Sequence, residues 1–229
     1  MSQHKLIGTT SERVYEYENS VGSGIRQEMK TGDLLLFSGT SATSMVIRLG
    51  TRSRWSHVGM VMVLEEFDEV MLWESTTLTD VEDAETKTYR AGVQLVPLSA
   101  RLANYPGDVV WRPLQLQAGQ DRKEIGKVLA VLRKEWKLKR YESDMWELMK
   151  AAYDGPGGQN QEDLGEMFCS EMVSEAYQRC GLLAEVDQGG LPSNEYTPKD
   201  FSEARNLDLI DARLGEQRLI KRYSRPLAA

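Results

Sequence analysis

The sequence has few residues that could bind a transition metal or form a disulfide, since its 229 residues include two cysteines and two histidines. Cys169 and Cys180 would lie about 16 Å apart on one helix at ~1.5 Å per residue, whereas a disulfide needs Cα atoms within about 7 Å. The chain also lacks the Cys-x-x-Cys and His-x-x-x-His spacings of zinc sites. We therefore expect no disulfide between these cysteines if they share a helix, no metal and no organic cofactor.

Long apolar runs and an excess of basic residues are missing as well. No apolar run approaches the ~18 residues of a membrane span, and the first residues lack the apolar core of a secretory signal. We therefore expect no transmembrane segment and a cytoplasmic protein, in a cell or in an infected host. The 35 acidic residues outnumber the 28 basic ones, which argues against non-specific binding of nucleic acid. The oligomeric state stays open.

Hydrophobic patterning predicts one α+β domain over residues 29–229 after a polar N-terminal arm over residues 1–28, because a chain of this length can form a single core. The predicted strands are Leu34–Phe37, His57–Leu64, Val70–Ser75, Val93–Leu98 and Asp108–Arg112, with a final hairpin of Leu207–Arg213 and Gln217–Tyr223. The predicted helices are Ser41–Leu49, Asp121–Arg140, Asp144–Tyr153 and Met167–Cys180. We expect a central antiparallel sheet with the helix Met167–Cys180 packed on it. A helical insertion over about 118–165 would form a lid or a wall of the substrate site.

Cys169 is a candidate nucleophile because the predicted helix places it in the first turn. Apolar residues follow at helical spacing, so Cys169 lies on the inward face. The unpaired N–H groups and the dipole of a helix N-terminus stabilise a thiolate and can receive an oxyanion. The alternative interpretation is a small buried hydrophobic side chain, which cysteine often is.

His57 and Glu74 are the candidate base and orienting carboxylate. If the turn between their strands is centred between Glu66 and Phe67, residue 57 faces residue 76 and Glu74 lies diagonally on the same face. A register shift of one residue would place Glu74 on the other face. The alternative interpretations are a structural strand histidine and a solvated strand carboxylate.

Arg48, Arg52 and Arg54 form a basic stretch before His57, with no acidic residue between Phe37 and Leu64. Together with Trp55 they are candidates for binding an anionic substrate group such as a carboxylate or phosphate. A solvated loop with surface ion pairs is the more common reason for such a stretch.

Four motifs in this order resemble the permuted branch of the NlpC-type papain-like hydrolases, which includes lecithin–retinol acyltransferase-like proteins. They are Gly-Asp-Leu-Leu-Leu-Phe at 32–37, Trp-Ser-His-Val-Gly-Met-Val at 55–61, the strand residue Glu74, and Phe-Cys-Ser-Glu-Met-Val-Ser-Glu-Ala-Tyr at 168–177. Tyr-Thr-Pro-Lys-Asp-Phe at 196–201 is similar to the Pro-containing segment that follows the cysteine helix in that branch. The resemblance covers about residues 30–205.

The resemblance implies a circularly permuted papain-like fold with histidine before cysteine in the chain. It implies that Cys169 is the nucleophile, His57 the base and Glu74 the residue that orients the imidazole, with Tyr141 a candidate for the oxyanion hole. The expected function is a thiol-dependent hydrolase or acyltransferase that acts on an amide, ester or thioester of a small molecule, peptide or lipid. We expect Cys169 Sγ within about 4 Å of a His57 ring nitrogen. The alternatives are a catalytically silent binding module or a virion-associated structural protein.

Overall fold

The computed structural model of the protein describes residues 25–40, 53–64, 69–138, 161–205 and 207–223, with residues 161–168 described as backbone. The predicted helices Ser41–Leu49 and Asp144–Tyr153 lie outside these residues. So do the candidate site residues Arg48, Arg52 and Tyr141.

A six-stranded antiparallel sheet forms the centre of an α+β structure, in the order β4-β3-β2-β1-β5-β8. Its strands are β1 (Leu34–Gly39), β2 (His57–Leu64), β3 (Glu69–Thr76), β4 (Gly92–Pro97), β5 (Gly107–Arg112) and β8 (Arg218–Lys221). A separate two-stranded ribbon pairs β6 (Leu114–Leu116) with β7 (Ala212–Leu214). The first five strands of the sheet fall where the hydrophobic runs predict them, because these runs are buried on both faces.

The prediction of a C-terminal hairpin is wrong, because its two strands belong to different sheets. Its first strand, β7, pairs with β6 through Leu214 and Leu114. Its second strand, β8, pairs instead with β5 through Arg218 and Trp111. The two short strands flank Gly215 as the strands of a hairpin would, but each pairs with a strand about 100 residues earlier in the chain.

Side chains alternate across the sheet and build two separate cores. Leu36, Met60 and Trp73 belong to the first core, which we call the helix-side core. Phe37 and Leu72, one position along, belong to the second core, which we call the far-side core. Alternate residues in the middle of these strands therefore pack into different cores, and residues an even number apart pack into the same one.

Four helices complete the described structure: α1 (Ile25–Glu28), α2 (Leu98–Asn104), α3 (Arg122–Leu138) and α4 (Gln161–Arg179). Helix α3 begins after Asp121, whose Oδ1 accepts a hydrogen bond of 2.9 Å from Lys123 N and caps the first turn. It contributes Ile125, Leu129 and Leu132 to the helix-side core. This part of the expected insertion is thus a layer of the core.

Helix α4 begins six residues earlier than the sequence predicts, at Gln161 instead of Met167. Gly165 costs a helix only about 1 kcal/mol relative to alanine, so a single glycine does not end it. Among the described residues, no helix is long and apolar enough to cross a membrane.

Candidate functional site

The hairpin of β2 and β3 brings His57 and Glu74 together. Met60 pairs with Trp73 and Leu64 with Glu69, which is the register that the sequence predicts for a turn centred between Glu66 and Phe67. This register places Glu74 diagonally from His57 on the same face. Gly59 leaves room for the side chains of β3, because a Cβ there would come within 2.7 Å of Leu72 Cδ1 and 3.2 Å of Glu74 Cβ.

His57 and Glu74 form a buried hydrogen bond in which Nε2 lies 2.7 Å from Oε2. Glu74 is completely buried and His57 is 8% exposed. An ionised carboxylate can only accept hydrogen bonds, so Nε2 carries the proton of the neutral ring. Nδ1 is then the nitrogen with a free lone pair, which is the state required of a base.

Arg101 joins this pair from helix α2. Its Nε donates to Glu74 Oε1 at 2.7 Å and its Nη1 donates to Asp80 Oδ1 at 2.5 Å. Helix α2 packs through Leu98 and Leu102 on the far-side core. Arg101 is not among the site residues predicted from the sequence, because the predicted strand Val93–Leu98 includes the first residue of α2 and no element is predicted for residues 99–104. Leu98 and Leu102 at i, i+4, with Arg101 at i+3, are the helical pattern that could have revealed it.

Glu74 is held as a carboxylate despite its burial. Burial by itself would raise its pKa, but the positive charge of Arg101 and the hydrogen bond from His57 outweigh it, so the pKa lies below its ordinary value. Burial likewise would lower the pKa of Arg101, and the charges of Glu74 and Asp80 raise it above its ordinary value. Both directions describe the same buried ion pair.

Cys169 lies in the other layer of the molecule. It is completely buried in the helix-side core with Met172, Val173 and Ala176 of α4. By strand parity, His57 faces the far side, where its ring contacts Phe37 at a centroid distance of 5.2 Å. The expected approach of Cys169 Sγ to His57 within about 4 Å stays a prediction.

The longer α4 also changes the surroundings of Cys169. It is the ninth residue of the helix and lies in the third turn, whereas only the first four N–H groups of a helix have no intrahelical partner. The expectation that Cys169 lies in the first turn of its helix is therefore wrong. The dipole stabilisation and the oxyanion contact that were expected from that position lose this basis.

Tyr177, eight residues after Cys169 on α4, ties this helix to the sheet. Its Oη donates to Gly32 O at 2.8 Å, and Gly32 N donates to Val61 O in the middle of β2. These contacts hold the helix layer against β2.

Trp55 and Arg54 lie just before β2 in the chain. Trp55 is part of the helix-side core, although His57 two residues later faces the far side. Arg54 donates to Asp108 Oδ2 at 2.7 Å and lies over the Trp55 ring at 5.2 Å. Arg54 therefore makes the surface ion pair that the alternative interpretation describes.

A cavity of about 490 Å³ lies near the C-terminal half of α4, away from His57 and Glu74. It is lined mainly by polar side chains, among them Glu175, Gln178 and Asp187. Among the described residues, no group of three or more histidine, cysteine or acidic side chains is arranged to hold a metal ion.

Comparisons with known proteins add little to this geometry. No protein-family model matches the chain, and no curated protein sequence matches it. One similar solved structure is that of metalloprotein yiiX from Escherichia coli O157:H7, with a TM-score of 0.41 and 17% sequence identity over 84% of this chain and 97% of that chain. A likeness of this size does not bear on function.

Proposed function

We propose that the protein is a thiol-dependent hydrolase or acyltransferase on a circularly permuted papain-like fold. The observation that carries the proposal is the buried His57–Glu74 hydrogen bond of 2.7 Å. A completely buried carboxylate is costly unless it is paired, and here one of its oxygens is directed at the one side chain of the sheet that can act as a base near neutral pH.

In the proposed reaction His57 Nδ1 accepts the proton of the Cys169 thiol, and Glu74 stabilises the imidazolium through Nε2. The thiolate attacks the acyl carbonyl to form a tetrahedral intermediate. Its collapse breaks the bond to the amine, alcohol or thiol leaving group, which takes the proton from His57. Water, deprotonated by His57, then cleaves the Cys169 thioester to give the free acid, or another nucleophile takes the acyl group.

The order of the parts supports this proposal. Histidine on β2, carboxylate on β3 and cysteine on a later helix are the order of the permuted hydrolases that the sequence resembles, and β1 begins with the same Gly-Asp turn. The substrate class is an acyl compound, a peptide, lipid or small molecule, and the chemistry needs neither metal nor nucleic acid. The basic residues Arg48 and Arg52 stay candidates for an anionic group on that substrate.

A second candidate function, a catalytically silent binding module, is favoured by the surroundings of Cys169. This side chain is completely buried, lies in the third turn of α4 and belongs to the helix-side core. Cysteine often packs as a small hydrophobic side chain, and in that role it would leave the protein without a nucleophile.

Mass spectrometry of the intact protein, after incubation with a panel of activated amides, esters and thioesters, tests the proposal. A mass increase that maps to Cys169 is expected, and Cys169→Ser should remove it and lower turnover by orders of magnitude while the melting temperature changes little. Cys180→Ser is the matched control and should change neither. A Cys169→Ser variant with normal turnover would refute the thiol mechanism.

Alkylation by iodoacetamide separates the two candidates without a substrate. Burial raises the pKa of the Cys180 thiol to about 12, so Cys180 should react very slowly at neutral pH. Faster labelling of Cys169 in the folded protein, measured by peptide mapping, is expected of an activated thiol that becomes accessible. Protection of both cysteines would favour the silent module.

A further inference from the structure

The two oxygens of Glu74 have different partners, and Arg101 determines which oxygen His57 meets. Oε1 accepts from Arg101 Nε and Oε2 from His57 Nε2, both at 2.7 Å. A carboxyl group on a flexible side chain could otherwise rotate about its terminal torsion, which is broad and roughly two-fold. A donor fixed on one oxygen therefore orients the other.

Arg101 is itself held in place from both ends. Its side chain is completely buried, and its Nη1 donates to Asp80, whose side chain is 39% exposed to solvent. Leu98 and Leu102 anchor the helix that carries it. The resulting chain of contacts runs from solvent through Asp80, Arg101 and Glu74 to the imidazole.

A second buried arginine shows what a purely structural arginine does in this protein. Arg112, on β5 of the sheet, donates to the backbone carbonyls of Gly215 and Phe201 at 2.9 and 2.7 Å and ties the C-terminal segment to β5. Arg101 instead donates hydrogen bonds to two carboxylates, those of Glu74 and Asp80. Its Nη2 is buried without a hydrogen-bond partner among the described residues. This incomplete pairing is a cost that a structural tie would avoid.

We propose that Arg101 is a positioning residue of the catalytic site, which holds Glu74 Oε1 so that Oε2 fixes His57 in the tautomer with its proton on Nε2. Nδ1 is thereby kept as the acceptor for the thiol proton. The catalytic role of Arg101 rests on the thiol mechanism proposed above, whereas its control of the His57 tautomer does not depend on that mechanism. Lysine could not replace Arg101, because a point charge on a flexible stem lacks the planar fork that spans Glu74 and Asp80.

Nitrogen-15 NMR of the imidazoles tests this role directly. The chain has only two histidines, so a His4→Gln background leaves His57 as the single signal. At a pH where the His57 ring is neutral, the wild-type protein should show the Nε2–H tautomer alone. In Arg101→Met the two nitrogen shifts should move toward each other as tautomers mix, and the Nε2–H proton should exchange with water at least about tenfold faster.

The variants separate positioning from stability. Arg101→Lys keeps the charge without the fork and should also show mixed tautomers; a wild-type spectrum in this variant would overturn the proposal. Arg90→Met is the matched control, since Arg90 pairs with buried Asp83 at 3.1 Å in the neighbouring segment and does not contact Glu74. It should lower the melting temperature and leave the His57 shifts unchanged. A folded Arg101→Met with a single Nε2–H tautomer would likewise overturn the proposal.

Asp80→Asn carries the test if neither Arg101 variant folds, because it changes a half-exposed partner of Arg101 and removes no core side chain. It should shift the Nε2–H signal, and an unchanged signal would count against Arg101 as the positioning residue. The rate of Cys169 labelling by iodoacetamide should fall about tenfold in Arg101→Met. Mixed tautomers together with an unchanged labelling rate would show that Arg101 positions the imidazole but that the thiol mechanism is wrong.

Discussion

Asp33 and Glu74 are both carboxylates buried in this protein beside a guanidinium, and they differ in what their oxygens meet. Asp33, just before β1, accepts from Lys30 N at 2.9 Å, Leu114 N at 3.0 Å and Trp111 Nε1 at 3.0 Å, with Arg122 at 3.2 Å. Glu74 accepts from one arginine and one histidine. All of the partners of Asp33 are fixed donors, whereas Glu74 faces a group that can also lose a proton.

The pKa values of the two carboxylates shift in opposite directions, and hydrogen-bond number does not explain the difference. Burial raises the pKa of Asp33, and its several hydrogen bonds and Arg122 lower it too little to compensate. For Glu74 the charge of Arg101 and the hydrogen bond from His57 together outweigh burial. Arg101 is completely buried and 2.7 Å away, while the Arg122 side chain is 23% exposed and 3.2 Å away. A closer counter-charge in a less polarisable environment interacts more strongly, so the depth of the arginine decides the outcome.

Removal of Asp33 should give the largest loss of stability in this comparison. Asp33→Ala leaves three N–H donors without their acceptor, at about 1–3 kcal/mol each, and we expect the free energy of unfolding to fall by about 3–5 kcal/mol in urea denaturation. Asp33→Asn keeps one acceptor oxygen and should lose less. A change below about 1 kcal/mol in Asp33→Ala would show that Asp33 is not the structural centre that its contacts indicate.

Glu74→Gln should cost less stability and change the chemistry more. Arg101 loses its buried counter-charge, so we expect a loss of about 2–3 kcal/mol in the free energy of unfolding. Because Arg101 can only donate, the amide oxygen should stay with Arg101 and the amide NH₂ should face His57. The ring would then switch to the tautomer protonated on Nδ1.

Nitrogen-15 shifts of His57 measure that switch, and turnover should fall, though by less than in Cys169→Ser. Asp33→Asn is the matched carboxylate-to-amide control and should leave the His57 tautomer as it is. An unchanged tautomer in Glu74→Gln would break the assignment of Glu74 as the orienting residue.

The pH dependence of stability should run in opposite directions for the two carboxylates, with the smallest effects. The pKa of Glu74 is lower in the folded protein than its ordinary value of 4.5. Its ionised form therefore contributes stability that is present above pH 4.5 and lost as pH falls through the lower folded pKa. The advantage of the wild type over Glu74→Gln should shrink in that acid range.

Asp33 has a folded pKa above its ordinary value of 3.8. Its contribution is therefore fully present below pH 3.8 and decreases as pH rises through the raised folded pKa. The wild type should lose stability relative to Asp33→Asn over that interval. Parallel trends in the two mutant pairs, measured by urea denaturation at several pH values, would contradict the opposite pKa shifts of Asp33 and Glu74.

The hairpin of β2 and β3 was predictable in register because its determinants are local. A continuous apolar run over His57–Leu64 and a short polar link determine which residues oppose each other, and the observed pairing of Met60 with Trp73 follows. Because the register follows from the position of the turn, the number of residues between the turn and each side chain places Glu74 beside His57. The C-terminal strands were not predictable in this way, because a three- or four-residue strand carries too little pattern to select its partner.

Arg101 and the layer of Cys169 depended on contacts between distant segments. Arg101 reaches Glu74 only because helix α2 folds back over the far-side core, and neither residue's neighbours in sequence indicate that approach. The start of α4 was misjudged because a glycine in a helix is a small cost that neighbouring residues can offset.

The sequence by itself determined the residue types of the candidate site, the alternation of side chains along the strands and the hairpin that joins His57 to Glu74. These features follow from chain connectivity and from the two-residue period of a strand, which act over a few residues. Only the tertiary structure decided that Arg101 neutralises Glu74, that α4 begins well before Cys169 and that Cys169 belongs to the helix-side core. Burial and the approach of a counter-charge decide these features, and both arise only when distant segments pack together.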